Sequence, residues 1–110
     1  MSLTPTLKRR SSGVLLHPTC LAGPRGGDLG PAAISFVEFL ADSGQSWWQM
    51  LPVCPTDAGG SPYNSASSFA GSPDLVSADV LAAEGLLKKA ELGQSRGRAM
   101  RAAFDSFSRR

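Results

Sequence analysis

Ser61-Pro62-Tyr63-Asn64 is the stretch of this chain best equipped to meet a ligand. Proline fixes the backbone beside the tyrosine, and the phenol offers a rigid flat face with a polar tip, which suits stacking on the apolar face of a pyranose ring. Ser61 and Asn64 can bond ring hydroxyls beside it. Taken bare, the same four residues are an ordinary turn. His17 is the sole histidine and has no carboxylate or nucleophile next to it, Asp28 being a partner only through folding, so it reads as a hydrogen-bonded structural group or as one lining a site. One histidine and two separated cysteines, Cys20 and Cys54, lack metal-ligand spacing, and the thiols read as small, buried or half-buried side chains. The run GPRGGDLG (residues 23–30) is neither a dinucleotide fingerprint nor a P-loop, and Pro31 removes one amide that an anion would need. Turn glycines explain it better. Glycosidic chemistry on a retaining enzyme needs two carboxylates about 5–5.5 Å apart on different elements. The nine acids here are scattered, and none closes a predicted strand.

The elements that must carry these residues follow from apolar spacing. Gly13-Val14-Leu15-Leu16-His17 is a short continuous apolar run, the pattern of a strand buried on both faces in a parallel sheet, ended by Pro18. Residues 18–30 hold too many breakers for anything but a loop. Pro31 suits the first turn of a helix, Ala33, Phe36, Val37, Leu40 and Ala41 form its apolar stripe, and Gly44 ends it. Trp47–Leu51 reads as a second strand stopped by Pro52, with Trp48 favoured for the core. Strand, helix, strand within some forty residues is a βαβ unit, which implies a parallel pair. A long loop occupies residues 52–74. A short helix broken near Gly85 is expected over 79–92, and an amphipathic one over 96–108 with Met100, Ala103, Phe104 and Phe107 on one face. In sheets and barrels of this class ligands gather beyond the carboxyl ends of the strands, where both loops begin.

With 110 residues, 42% apolar, 18% charged and a formal charge of +2, the chain makes at most one domain or part of one. No apolar run approaches the roughly 18–20 residues of a membrane span. The beginning, MSLTPTLKRR, lacks the apolar core of a secretory signal, so the expected location is cytoplasmic. Residues 1–12 read as a flexible basic segment. The basic clusters at Lys8-Arg9-Arg10 and over 96–110 read as solvated ends, so nucleic acid is not an expected partner, nor is a membrane.

From Ser11 to about Leu87, the segments SSGVLLHPTCLAGP, GDLG, WWQMLPVCPT and SPYNSASSFAGSP resemble, in register, the N-terminal part of the 4-α-glucanotransferases, the amylomaltase or disproportionating-enzyme family. The resemblance implies the N-terminal βαβ portion of a (β/α)₈ TIM barrel, incomplete, with residues 13–92 as first strand, helix, second strand and substrate loop, and 93–110 as a truncated amphipathic helix. It implies an enzyme that moves α-1,4-glucan segments between maltooligosaccharides through a covalent glycosyl-enzyme, with no metal or organic cofactor. On matching positions, Tyr63 stacks under the sugar at the donor side, Ser61 bonds a hydroxyl nearby with Asn64 beside it, and His17, Trp48 and Gln49 are supporting shell. Departures are Cys20 for serine, Ala22 for proline, Arg25 for an aromatic, Ser72 for asparagine and Asp74 for an apolar residue. The family's aspartate nucleophile and glutamate acid/base have no counterpart in these residues. The expected reading is therefore a glucanotransferase fragment without turnover of its own; the alternative is a small non-catalytic α/β glucan-binding module.

Overall fold

The computed structural model describes residues 10–23 and 27–109. Strand β1 (Gly13–Leu15) lies parallel to strand β2 (Trp47–Gln49), with Gly13 opposite Trp47, Val14 opposite Trp48 and Leu15 opposite Gln49. Parallel neighbours need a crossover, and helix α1 (Pro31–Asp42) supplies it. Pro31 takes the first turn as expected. At the other end Gly44 adopts φ +70°, the Gly44 N–H donates to Ala41 (3.0 Å) and the Gln45 N–H to Leu40 (2.8 Å), a Schellman close that satisfies two orphan carbonyls.

Both strands are shorter than the apolar runs that encode them. Leu16 still donates its N–H to the Gln49 carbonyl (3.0 Å), but the next residues turn away as a 3₁₀ turn over Pro18–Cys20 inside the expected loop. His17 caps that turn. Nor is β1 buried on both faces: Leu15 is 58% exposed, because two strands and one helix leave the other face of the sheet uncovered in this chain. On α1, Ala33 and Leu40 are buried and Phe36 packs edge-on against Trp48 (centroids 5.0 Å apart), whereas Val37 and Ala41 of the expected stripe face outward. The helix meets a narrow sheet, so only part of its stripe finds cover. Trp47 and Trp48 are each half-buried. Of the basic N-terminal segment, residues 1–9 lie outside the described residues, as do Pro24, Arg25 and Gly26 of the first loop. Ser11 and Ser12 are tied down: the Trp47 indole N–H donates to the Ser11 hydroxyl (2.8 Å) and the Ser46 N–H to the Ser12 carbonyl (2.9 Å).

The apolar core sits in the C-terminal half. Helix α2 (Ala78–Ala83) breaks at Gly85, a 3₁₀ turn spans Lys89–Glu91, and helix α3 (Arg96–Phe107) folds back. Ala78, Leu86, Leu87, Ala99 and Ala103 are buried together. The buried face of α3 therefore centres on Ala99 and Ala103, and Phe104 and Phe107 are exposed, a correction to the face read from spacing. Small residues win because α3 lies close on α2 and the turn after it. Among the described residues no helix is long and apolar enough to cross a membrane.

Arg96 joins the two halves. Its guanidinium donates to the Val76 carbonyl (2.9 Å) and pairs with Asp28 (3.4 Å), a carboxylate only 13% exposed that also accepts the Gly30 N–H (2.9 Å). Asp28 thus occupies the start of α1, where an anion would otherwise sit. Arg96→Ala strips the exposed Val76 carbonyl and the half-buried Asp28 carboxylate of a donor and is expected to cost about 1 kcal/mol, read from the urea midpoint. A midpoint unchanged from the parent would show the tie to be idle.

Candidate functional site

Residues 50–72 leave the carboxyl end of β2 and return as a closed loop. The Ser72 N–H donates to the Val53 carbonyl (2.9 Å) at its base, the Cys54 thiol to the Ser68 carbonyl (3.4 Å), and the Ser65 hydroxyl to the Ser67 carbonyl (2.8 Å). A loop of this length needs such internal bonds, since it has no apolar period to dock it.

The hub of the loop is Asp57, which residue spacing alone did not single out. Its Oδ1 accepts the N–H groups of Gly59 (2.9 Å) and Ser61 (2.8 Å), and its Oδ2 accepts the Asn64 side-chain amide (3.0 Å). Its carbonyl accepts the Gly60 N–H (3.0 Å). The signal was present in Asp57-Ala58-Gly59, since aspartate readily bonds the backbone two residues on. These bonds, the Ser61 N–H first and the Asn64 amide second, hold the Asp57 carboxyl below its ordinary range. A depressed folded-state value means the contribution to loop order is complete above the ordinary value of 3.8 and is lost as pH falls through the lowered one. Amide exchange at Ser61 is therefore expected to lose its protection and rise toward the intrinsic rate only below that value, and Asp57→Asn is expected to abolish the step. An acceleration already complete at neutral pH would contradict this.

Ser61, Tyr63 and Asn64 stand together on this loop. Ser61 is half-buried and its hydroxyl accepts the Tyr63 N–H (3.3 Å), while the Tyr63 side chain is 73% exposed. One hydrogen of the Asn64 amide is taken by Asp57, so its first task is inside the loop. Phe69, on the same loop, is fully exposed and was not anticipated as a feature of the site.

His17, Trp48 and Gln49 gather instead at the strand ends. His17 is buried; its Nδ1 lies 2.7 Å from the Thr19 hydroxyl and accepts the Thr19 N–H (3.4 Å). The Trp48 indole N–H donates to the Leu16 carbonyl (2.8 Å), and the Gln49 carbonyl accepts from Leu16 (3.0 Å). These bonds fasten the strand ends from which both loops depart. Cys20, expected buried or half-buried, is exposed at the end of the 3₁₀ turn, where no described element covers it; Cys54 is half-buried, and neither is in a disulfide. Among the described residues no group of three or more His, Cys, Asp or Glu side chains converges to hold a metal ion.

The sequence profile of the family described as 4-alpha-glucanotransferase matches residues 16–109. The chain is 51% identical over 87 residues to a chloroplastic/amyloplastic 4-alpha-glucanotransferase of Arabidopsis thaliana, a match covering 78% of this chain and 15% of that protein. It is 51% identical over 90 residues to the 4-alpha-glucanotransferase of Synechocystis sp. and 47% identical over 90 residues to that of Thermus thermophilus, each covering 81% of this chain and 18% of the relative. An amylomaltase from Streptococcus agalactiae, solved in complex with acarbose, shares the fold with a TM-score of 0.83 at 34% identity, over 93% of this chain and 24% of that one. The chain thus spans less than a fifth of the length of these curated relatives. A profile match through nearly all the described residues, together with identity near one half, establishes that the chain belongs to the 4-alpha-glucanotransferase family.

Proposed function

We propose that this chain supplies the first strand, first helix, second strand and substrate loop of a (β/α)₈ barrel that transfers α-1,4-glucan segments between maltooligosaccharides. The observation that carries the reading is the exposed Tyr63 ring, flanked by Ser61 and Asn64, on a loop leaving the carboxyl end of β2. The acarbose bound to an amylomaltase of the same fold supports a saccharide ligand.

In this reading Tyr63 lies under a sugar ring on the donor side, and the Ser61 hydroxyl and the second amide hydrogen of Asn64 bond hydroxyls at its edge. His17, Trp48 and Gln49 hold the strand ends. Family chemistry breaks the glycosidic bond by attack of a carboxylate on the anomeric carbon, with a second carboxyl group protonating the leaving oxygen. The acceptor sugar's 4-hydroxyl then displaces the enzyme carboxylate and gives its proton to that same acid/base group. Transfer outruns hydrolysis when the acceptor is held in place and water is not. Near Tyr63 the Asp57 oxygens are engaged within the loop, which leaves Asp57 unsuited to attack.

Two assays test the reading. The 110-residue chain alone is expected to release no glucose from maltotriose, and measurable disproportionation by it would contradict the division of labour. A hybrid in which residues 13–75 replace the matching segment of the Thermus thermophilus relative is expected to disproportionate maltotriose. A folded but inactive hybrid would count against the segment's assigned place.

A further inference from the structure

We propose that Asp57 is the positioning residue for Tyr63: its two carboxylate oxygens hold the loop on both sides of the tyrosine, so that the backbone carrying an unpacked ring stays in place. The proposal rests on the reading of Tyr63 as a sugar platform and adds what keeps the platform level.

A stacking residue must be both accessible and still. Most aromatic rings are stilled by packing, which also hides them. Tyr63 is 73% exposed, so packing does not still it, and what the loop can hold is the backbone from which the ring rises, leaving only its side-chain rotamers to settle on a ligand. That backbone is fixed directly at Ser61, whose N–H donates to Asp57 Oδ1 (2.8 Å), and indirectly at Asn64, whose side-chain amide donates to Oδ2 (3.0 Å), the residues bracketing Pro62-Tyr63. Pro62 removes backbone freedom between them. The Gly59 N–H (2.9 Å) shares Oδ1, the Gly60 N–H reaches the Asp57 carbonyl (3.0 Å), and Gly60 at φ +81° completes the turn that brings Ser61 back over the carboxylate. The Tyr63 N–H closes onto the Ser61 hydroxyl (3.3 Å), which carries the constraint to the tyrosine itself. One side chain thus governs residues 59, 61 and 64, and nothing in the apolar core depends on it.

The experiment uses the 110-residue chain, in which Tyr63 is the sole tyrosine. The ¹⁵N order parameter of the Tyr63 amide is expected near 0.85 in the parent and below about 0.6 in Asp57→Ala, with the core amides of Leu87 and Ala99 unchanged. Asp57→Asn keeps an acceptor for Gly59 and Ser61 and lets the Asn64 amide turn its oxygen inward, so it is expected to restore most of the order. In the hybrid enzyme Asp57→Ala is expected to lower kcat/KM about tenfold or more, since displacement by an ångström of a positioning group costs up to about 100-fold, and Asp57→Asn is expected to recover most of that loss. An unchanged order parameter in Asp57→Ala overturns the proposal whatever the activity. Loss of order in Asp57→Ala together with full activity in Tyr63→Ala upholds the positioning contact and overturns the platform reading instead.

Discussion

Tyr63→Ala in the hybrid enzyme is expected to lower kcat/KM for maltotriose disproportionation by about 10- to 100-fold, with Tyr63→Phe within a few-fold of the parent. The size follows from the area at stake. Covering an aromatic side chain is worth roughly 1.5–3 kcal/mol, and each 1.36 kcal/mol is tenfold in rate. Phenylalanine keeps the flat face and loses only the hydroxyl, so its near-normal rate would separate stacking from hydrogen bonding. An alanine variant as fast as the parent would remove Tyr63 from the substrate wall.

Leu87→Ala is expected to destabilise the chain by about 2–5 kcal/mol in urea unfolding, the range for a buried leucine truncated to a methyl. Leu87 is 4% exposed and packs in one cluster with Leu86, Ala78, Ala99 and Ala103, so its truncation leaves a cavity at the centre of the core. Against a total stability of only about 5–15 kcal/mol for ordinary domains, such a loss takes a chain of this size to the edge of folding. Leu15→Ala makes the informative contrast. At 58% exposure it is expected to change the isolated chain by less than about 0.5 kcal/mol, yet in the hybrid, if β1 is covered as the proposed barrel requires, it should cost as much as a core leucine. Equal, small effects in both settings would argue against β1 as a barrel strand.

What could be read in the sequence was whatever is encoded locally. Pro31 and Gly44 bound a helix because each acts on its own backbone, and the structure places both ends there. Gly85 breaks the next helix for the same reason. The apolar runs at Val14 and Trp48 revealed two parallel strands, since the roughly thirty residues between them leave little else. The site loop was legible as Ser61, Tyr63 and Asn64, but its hub at Asp57 was not, because three hydrogen bonds from one carboxylate depend on the loop having already closed. Arg96 and Asp28 are 68 positions apart, and no spacing announces their pairing. The exposure of Leu15, Phe104 and Cys20 likewise reflects which surfaces find partners, a property of assembled elements. Apolar period gave α3 its helix and misjudged its face by a fraction of a turn, because Ala99 and Ala103 permit the close approach that Phe104 and Phe107 would block.

The most direct measurement is a crystal structure of the hybrid soaked with acarbose. The Tyr63 ring is expected to lie roughly parallel to a sugar ring at van der Waals separation, about 4 Å, with Ser61 or Asn64 bonded to a hydroxyl of that sugar. Acarbose seated in the cleft with Tyr63 turned away, and the loop of residues 57–64 making no contact with it, would show that Tyr63 is not a wall of the saccharide site.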